Sequence, residues 1–147
     1  MGRRGARSIG WFGVVLLLTA CFGPGRPADD ELWRASFVKD GVGLLDGQTF
    51  LCQVTEAGKS DAEEESMEFR GGRFHSVGCD DYGFTTGAYM AVRSAETTAF
   101  QCETTSVKEG RIQWHGTVRG DSIEGAFTWS KAGQRPIEYA FKGTRRR

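Results

Sequence analysis

Trp114-His115-Gly116-Thr117-Val118-Arg119-Gly120-Asp121-Ser122-Ile123-Glu124-Gly125-Ala126-Phe127-Thr128-Trp129 decides how the rest of the chain is read. Gly120-Asp121 has the form of a two-residue hairpin turn with glycine first, where φ must be positive. Folding the chain back about it opposes Val118 to Ile123, Gly116 to Gly125, Trp114 to Phe127 and Ile112 to Trp129. The other face opposes Arg119 to Ser122, Thr117 to Glu124, His115 to Ala126 and Gln113 to Thr128. One face is apolar and the other almost wholly polar, as a sheet with one buried face requires. The facing glycines leave room for a neighbouring aromatic, or mark a bend in a curved sheet.

Working outward, a second hairpin surrounds Gly71-Gly72. It opposes Phe69 to Phe74 and Met67 to Ser76 on one face, and Arg70 to Arg73 and Glu68 to His75 on the other. Further strands fall at Thr49–Thr55, Tyr89–Arg93, Phe100–Thr104 and Pro136–Thr144, while the acidic stretch Gly58–Ser66 has the composition of a solvated loop. Helical periodicity is missing throughout. The expected fold is all-β: a single small antiparallel meander barrel of about eight strands, with a β-sandwich as the alternative. The boundaries expected are 45–144 for this domain and 145–147 for a basic tail, Arg145-Arg146-Arg147, solvated at the chain end.

The N-terminus carries an address. Arg3, Arg4 and Arg7 form a basic start, and Trp11 to Leu18 supply an apolar run. That run is too short for a span, which needs roughly 20 apolar residues. It ends in Leu18-Thr19-Ala20-Cys21, an aliphatic residue and two small ones before cysteine, the pattern of a bacterial lipobox. Residues 1–20 are therefore expected to be a cleaved signal peptide, with Cys21 the site of lipidation because its sulfur takes the diacylglyceryl group. Several acyl chains hold a protein stably where one holds it weakly. Residues 21–44 then form the lipidated cysteine and a tether, with Phe22 to Asp30 rich in proline and glycine. With no aspartate after the cysteine, an outer membrane, facing the periplasm, is the expected location if the source has two membranes. Cleavage leaves 127 residues, and loss of three arginines takes the formal charge from zero to −3. That balance, with export, argues against a nucleic-acid partner.

The segments Phe74-His75-Ser76-Val77-Gly78-Cys79-Asp80-Asp81-Tyr82-Gly83-Phe84, Trp114 to Trp129 and Pro136 to Gly143 resemble a group of small bacterial lipoproteins. The resemblance spans roughly Leu45 to Thr144. It implies a calycin-like, lipocalin-like β-barrel, and no activity. Gly47-Gln48-Thr49 stands where lipocalins carry Gly-x-Trp.

Three cysteines remain beside Cys21. Strand alternation turns Cys52 and Cys102 inward and leaves Cys79 on the other parity or beyond its strand. In an oxidising compartment Cys52–Cys102 is the best pairing, although strands one and five of such a barrel lie opposite each other. The alternative is two buried thiols. His75 and His115 fall on the polar faces of different hairpins, with His75 placed across from Glu68, so no metal site and no cofactor are expected. Asp80-Asp81 suits a turn, and no nucleophile stands beside a base, so the chain does not read as an enzyme. The connection Cys79 to Tyr89 fits either a lid over the barrel mouth or a plug formed by Tyr82 and Phe84.

The leading expectation is a non-catalytic, membrane-anchored envelope lipoprotein. It would bind a small apolar ligand in or at the mouth of the barrel through Tyr82, Phe84, Trp114, Phe127, Trp129 and Tyr139. The alternative is an envelope structural or assembly protein with a packed core, meeting another envelope protein through its outer surface.

Overall fold

Short turns between strand-forming segments leave antiparallel neighbours as the available pairing. The structure, a computed structural model, describes residues 43–147. Eight strands follow in order: β1 (Thr49–Glu56), β2 (Ala62–Arg70), β3 (Arg73–Ser76), β4 (Gly87–Ser94), β5 (Thr97–Ser106), β6 (Gly110–Arg119), β7 (Ser122–Ser130) and β8 (Ile137–Arg145). Each pairs with the next and β8 pairs back with β1, closing a barrel rather than a sandwich. A 3-10 helix, Val77–Tyr82, joins β3 to β4. The signal peptide, Cys21 and the tether up to residue 42 lie outside the described residues.

All eight cross-strand pairs expected of the β6–β7 hairpin are in register, as are the four of the β2–β3 hairpin. Gly120 has φ 58°, as its turn demands, and the β2–β3 turn uses positive φ at both Gly71 (58°) and Gly72 (72°). The facing glycines are filled from inside. A Cβ on Gly125 would stand 2.6 Å from Phe141 Cζ, and one on Gly116 would stand 2.9 Å from Phe100 Cε1.

Several local expectations need correction. Residues 62–66 begin β2 instead of closing a loop, with Glu63 and Glu65 in register with Val54 and Cys52. The run of glutamates hid the alternation, and the strand stays half in water there, so its charges remain solvated. The tract Cys79 to Tyr89 is no open connection, since it holds part of the 3-10 helix and the start of β4. Arg145 is part of β8 and not of a tail; Arg146 N–H bonds the Thr49 carbonyl and Arg147 pairs with Asp121 at 3.0 Å.

The core is an aromatic chain across the barrel. Phe69 sits at its centre, with ring centroids 5.0 Å from both Tyr89 and Phe100 and 5.3 Å from Phe74. Phe74 passes contact to Trp114 at 4.9 Å. Burial of each such ring contributes on the order of 1.5–3 kcal/mol. The two rims are closed differently. At the entry rim, formed by residues 43–48 and the β2–β3, β4–β5 and β6–β7 turns, Leu45 is buried under the Tyr89 hydroxyl. Phe84 is buried at the opposite, helix rim.

Candidate functional site

The six residues expected to meet a ligand do not form one pocket. Trp114 lies in the core, its indole N–H donating to Thr104 Oγ1 at 3.0 Å. Its ring is 4.1 Å from Phe127, which stacks at 4.7 Å on Tyr139. These three make one column running outward to the helix rim. Tyr139 is half-buried there, its hydroxyl 3.5 Å from Glu56 Oε2, and burial holds that hydroxyl above the usual phenol range. Trp129 is half-buried beside the column, its indole N–H donating to the Glu109 carbonyl at 2.6 Å. Lys131 grips the same Glu109 through its carboxylate at 2.7 Å.

Tyr82 and Phe84 part company. Phe84 is buried as a plug, whereas Tyr82 is 62% exposed and contributes only its carbonyl, which accepts from Ser106 Oγ. The segment carrying them is tied down. Gly83 ends the 3-10 helix in the left-handed region, its N–H bonding Asp80 O, and Thr85 N–H bonds Thr105 O. Neither the lid nor the two-residue plug describes this arrangement, because Tyr82 ends the 3-10 helix and the left-handed Gly83 turns the chain before Phe84.

The Cys52–Cys102 bridge is not formed; Cys52, Cys79 and Cys102 are free thiols. Alternation did place Cys52 in the core and Cys102 on an inward, half-buried position. Closure puts β1 and β5 on opposite walls, with the Phe69 and Phe100 rings, 5.0 Å apart, between them. Cys52 Sγ instead lies 3.7 Å from Met67 Sδ. Burial pushes the Cys52 thiol up to about 12 and Cys79 up to about 11, and raises Cys102 as well. Such thiols stay protonated and unreactive at neutral pH. Cys79, off the strand as expected, accepts from Ser76 Oγ at 3.2 Å.

No family model, curated protein or solved structure matches this chain. His75 faces Glu68 across the β2–β3 hairpin at 3.8 Å and meets Asp80 Oδ1 at 2.8 Å. Among the described residues, no three His, Cys, Asp or Glu side chains are grouped to hold a metal.

Sequence reasoning missed the outer wall. Over β6, β7, β8 and β1 runs an open groove of about 660 Å³, lined by Gln53, Thr55, His115, Thr117, Glu124 and Lys142, with Phe141 beneath. A second groove of about 700 Å³ shares Gln53, Thr117, Glu124 and Lys142 and extends past Leu51 and Arg119 toward the entry rim. The Gly116–Gly125 pair thins the wall under the first groove. That pair was visible in the sequence, but its consequence for the outer face was not, because curvature sets the depth.

Proposed function

We propose that this chain is a lipid-anchored, non-catalytic protein of the bacterial cell envelope that works through the outer surface of a packed barrel. The aromatic column from Phe69 through Phe74 and Trp114 to Phe127 and Tyr139 carries this reading. With centroids 4.1–5.3 Å apart, those rings fill the volume that a carrier would keep for its cargo. Outward positions on the wall hold Gln53, Glu124, Lys142 and Arg111, which suit water and an envelope protein partner, not lipid tails. Lipid is met instead through acylated Cys21, at the periplasmic face of the outer membrane where two membranes exist.

Two measurements test this. Mass spectrometry of the protein from its own membranes is expected to find Cys21 as the N-terminal residue bearing a diacylglyceryl thioether; an unmodified cysteine sinks the anchor. Native mass spectrometry with solvent extraction is expected to find an empty barrel.

A second reading keeps a small apolar ligand at the helix rim. The half-buried Trp129 and Tyr139, both on inward positions, support it. An apolar molecule recurring in the extracts, and lost on Tyr139→Ala, would favour that reading over the first.

A further inference from the structure

The two rims of the barrel differ in the sign of their charge and in the groups that carry it. At the entry rim the β2–β3 turn brings Arg70 and Arg73, the β4–β5 turn brings Arg93 and Glu96, and the β6–β7 turn brings Arg119 and Asp121. Arg145, Arg146 and Arg147 end on the same rim, where Arg147 and Arg145 flank Asp121. Asp46, the other carboxylate there, accepts from the Gly72 N–H and the Tyr89 hydroxyl. Among the described residues, seven arginines against three carboxylates give this rim a net side-chain charge of +4, with no lysine there.

The helix rim has the opposite balance. Glu56, Asp61, Glu63 and Glu64 surround the β1–β2 turn, Asp80 and Asp81 lie on the 3-10 helix, Glu109 stands on the β5–β6 turn and Glu138 at the start of β8. Five basic side chains answer those eight carboxylates: Lys59, Lys108, Arg111, Lys131 and Arg135. Four of the arginines at the entry rim (Arg70, Arg73, Arg119 and Arg146) are exposed and in no ion pair among the described residues. Arg145 is different: it lies over the Phe50 ring and donates to Gln48, so it serves the fold.

The chain running back toward Cys21 joins the barrel at this arginine rim, through Gly43 and the buried Leu45. Guanidinium groups bind phosphate oxygens in pairs and are less strongly hydrated than ammonium groups. Basic clusters next to a membrane attachment point are drawn to anionic lipid. We propose that the arginine rim docks on the phosphate headgroups of an anionic bilayer, standing the barrel on the membrane with the helix rim turned away. The location rests on the anchored reading above; the docking face belongs to the barrel itself.

The test uses the mature chain from residue 21, carrying Cys21→Ser so that no lipid contributes. Binding is measured by co-sedimentation with phosphatidylcholine vesicles, with or without about one third phosphatidylglycerol. Binding is expected only with the anionic lipid and is expected to fall away at high salt. The triple variant Arg70→Glu/Arg119→Glu/Arg146→Glu is expected to lose about 100-fold, taking roughly fivefold per basic residue near an anionic surface. Lys59→Glu/Lys108→Glu/Arg135→Glu makes the same change of charge at the helix rim and is expected to stay within about threefold. Circular dichroism checks that both variants keep the barrel. Equal loss in the two triples, equal binding to pure phosphatidylcholine, no binding, or binding to heparin without vesicles each overturns the proposal. Anionic-vesicle binding by a chain whose native Cys21 proves unmodified would overturn the anchor and leave the rim standing.

Discussion

The β6–β7 hairpin and the stretch from β3 to β4 hold the same barrel together by different means. Nine registered positions join β6 to β7, whereas two join β3 to β4. Where the ladder is short, individual bonds take its place. Tyr89 N–H bonds Gly72 O, Arg73 grips Thr86, and Gly78 N–H bonds the Glu65 carboxylate. A wall made of ladder resists local opening because many bonds must break together; a seam of single bonds opens piecemeal. Amides of β3 and of the 3-10 helix are expected to exchange with deuterium well before those of β6 and β7.

Variants can break or sharpen this contrast, beginning with the ladder side. Trp114→Ala removes the middle of the aromatic column and strands Thr104 Oγ1 in the core. A loss of about 3–5 kcal/mol is expected in urea unfolding. A loss under about 1 kcal/mol would mean that the column is not the core. Gly125→Ala adds a Cβ 2.3 Å from the His115 carbonyl oxygen, mostly against backbone that cannot give way. It should cost about 1–3 kcal/mol, more than alanine at the open Gly133 turn.

The buried thiol of Cys52, on β1, supplies a pH test. An unfolded thiol ionises near its ordinary value of 9.0, while the folded one is held up to about 12. Below pH 9 both states are protonated and the thiol adds no pH dependence. Above it the unfolded state loses the proton first, so stability falls as pH rises toward 12. The cost should approach about 2 kcal/mol by pH 10.5 or so. Cys52→Ala should reduce that slope without abolishing it, because the raised Cys79 and Cys102 thiols contribute in the same direction.

On the seam side, Tyr89→Phe keeps the ring in the core but removes a hydroxyl that donates to Asp46 and accepts from Leu45 N–H. Leaving the Leu45 N–H without a partner should cost about 1–2 kcal/mol. Exchange of the β3 amides should rise by more than that of β6 if Asp46 is what closes the seam. Uniform acceleration would show that the barrel opens as one unit.

The same contrast marks what was legible in the sequence. Both glycine-turned hairpins could be registered residue by residue, because positive φ and strict alternation are local signals. The barrel followed from counting strands. The start of β2 was hidden by consecutive glutamates, whose charges tell of solvent and not of backbone. The 3-10 helix was hidden because Val77–Tyr82 buries no side chain fully, so no apolar period betrays it. Inward alternation found Cys52 and Cys102 but not that closure sets them on opposite walls. Trp114, Phe127 and Tyr139, three of the six residues expected to meet a ligand, lie in one column of rings. Whether they lined a void or filled one depended on the rings supplied by β2 and β3.

One turn escaped notice for a chemical reason, and it offers the gentlest test. β4 and β5 form a two-residue hairpin about Ala95-Glu96, with Ser94 in register with Thr97. No glycine advertises it. Ala95 adopts φ 53°, the sole positive φ outside glycine among the described residues. An L-residue there sets its Cβ against the following carbonyl, at a cost on the order of 1 kcal/mol. The other two-residue turns place glycine at the corresponding site, at Gly71 and Gly120, and are free of that strain. Ala95→Gly is therefore expected to stabilise the barrel by about 0.5 kcal/mol, the relief of strain being partly offset by the greater freedom of glycine when unfolded. The complementary Gly120→Ala should destabilise by a similar or larger amount. If Ala95→Gly instead lowers the urea midpoint, the β4–β5 turn does not hold the left-handed conformation, and the hairpin beside the seam is looser than its register implies.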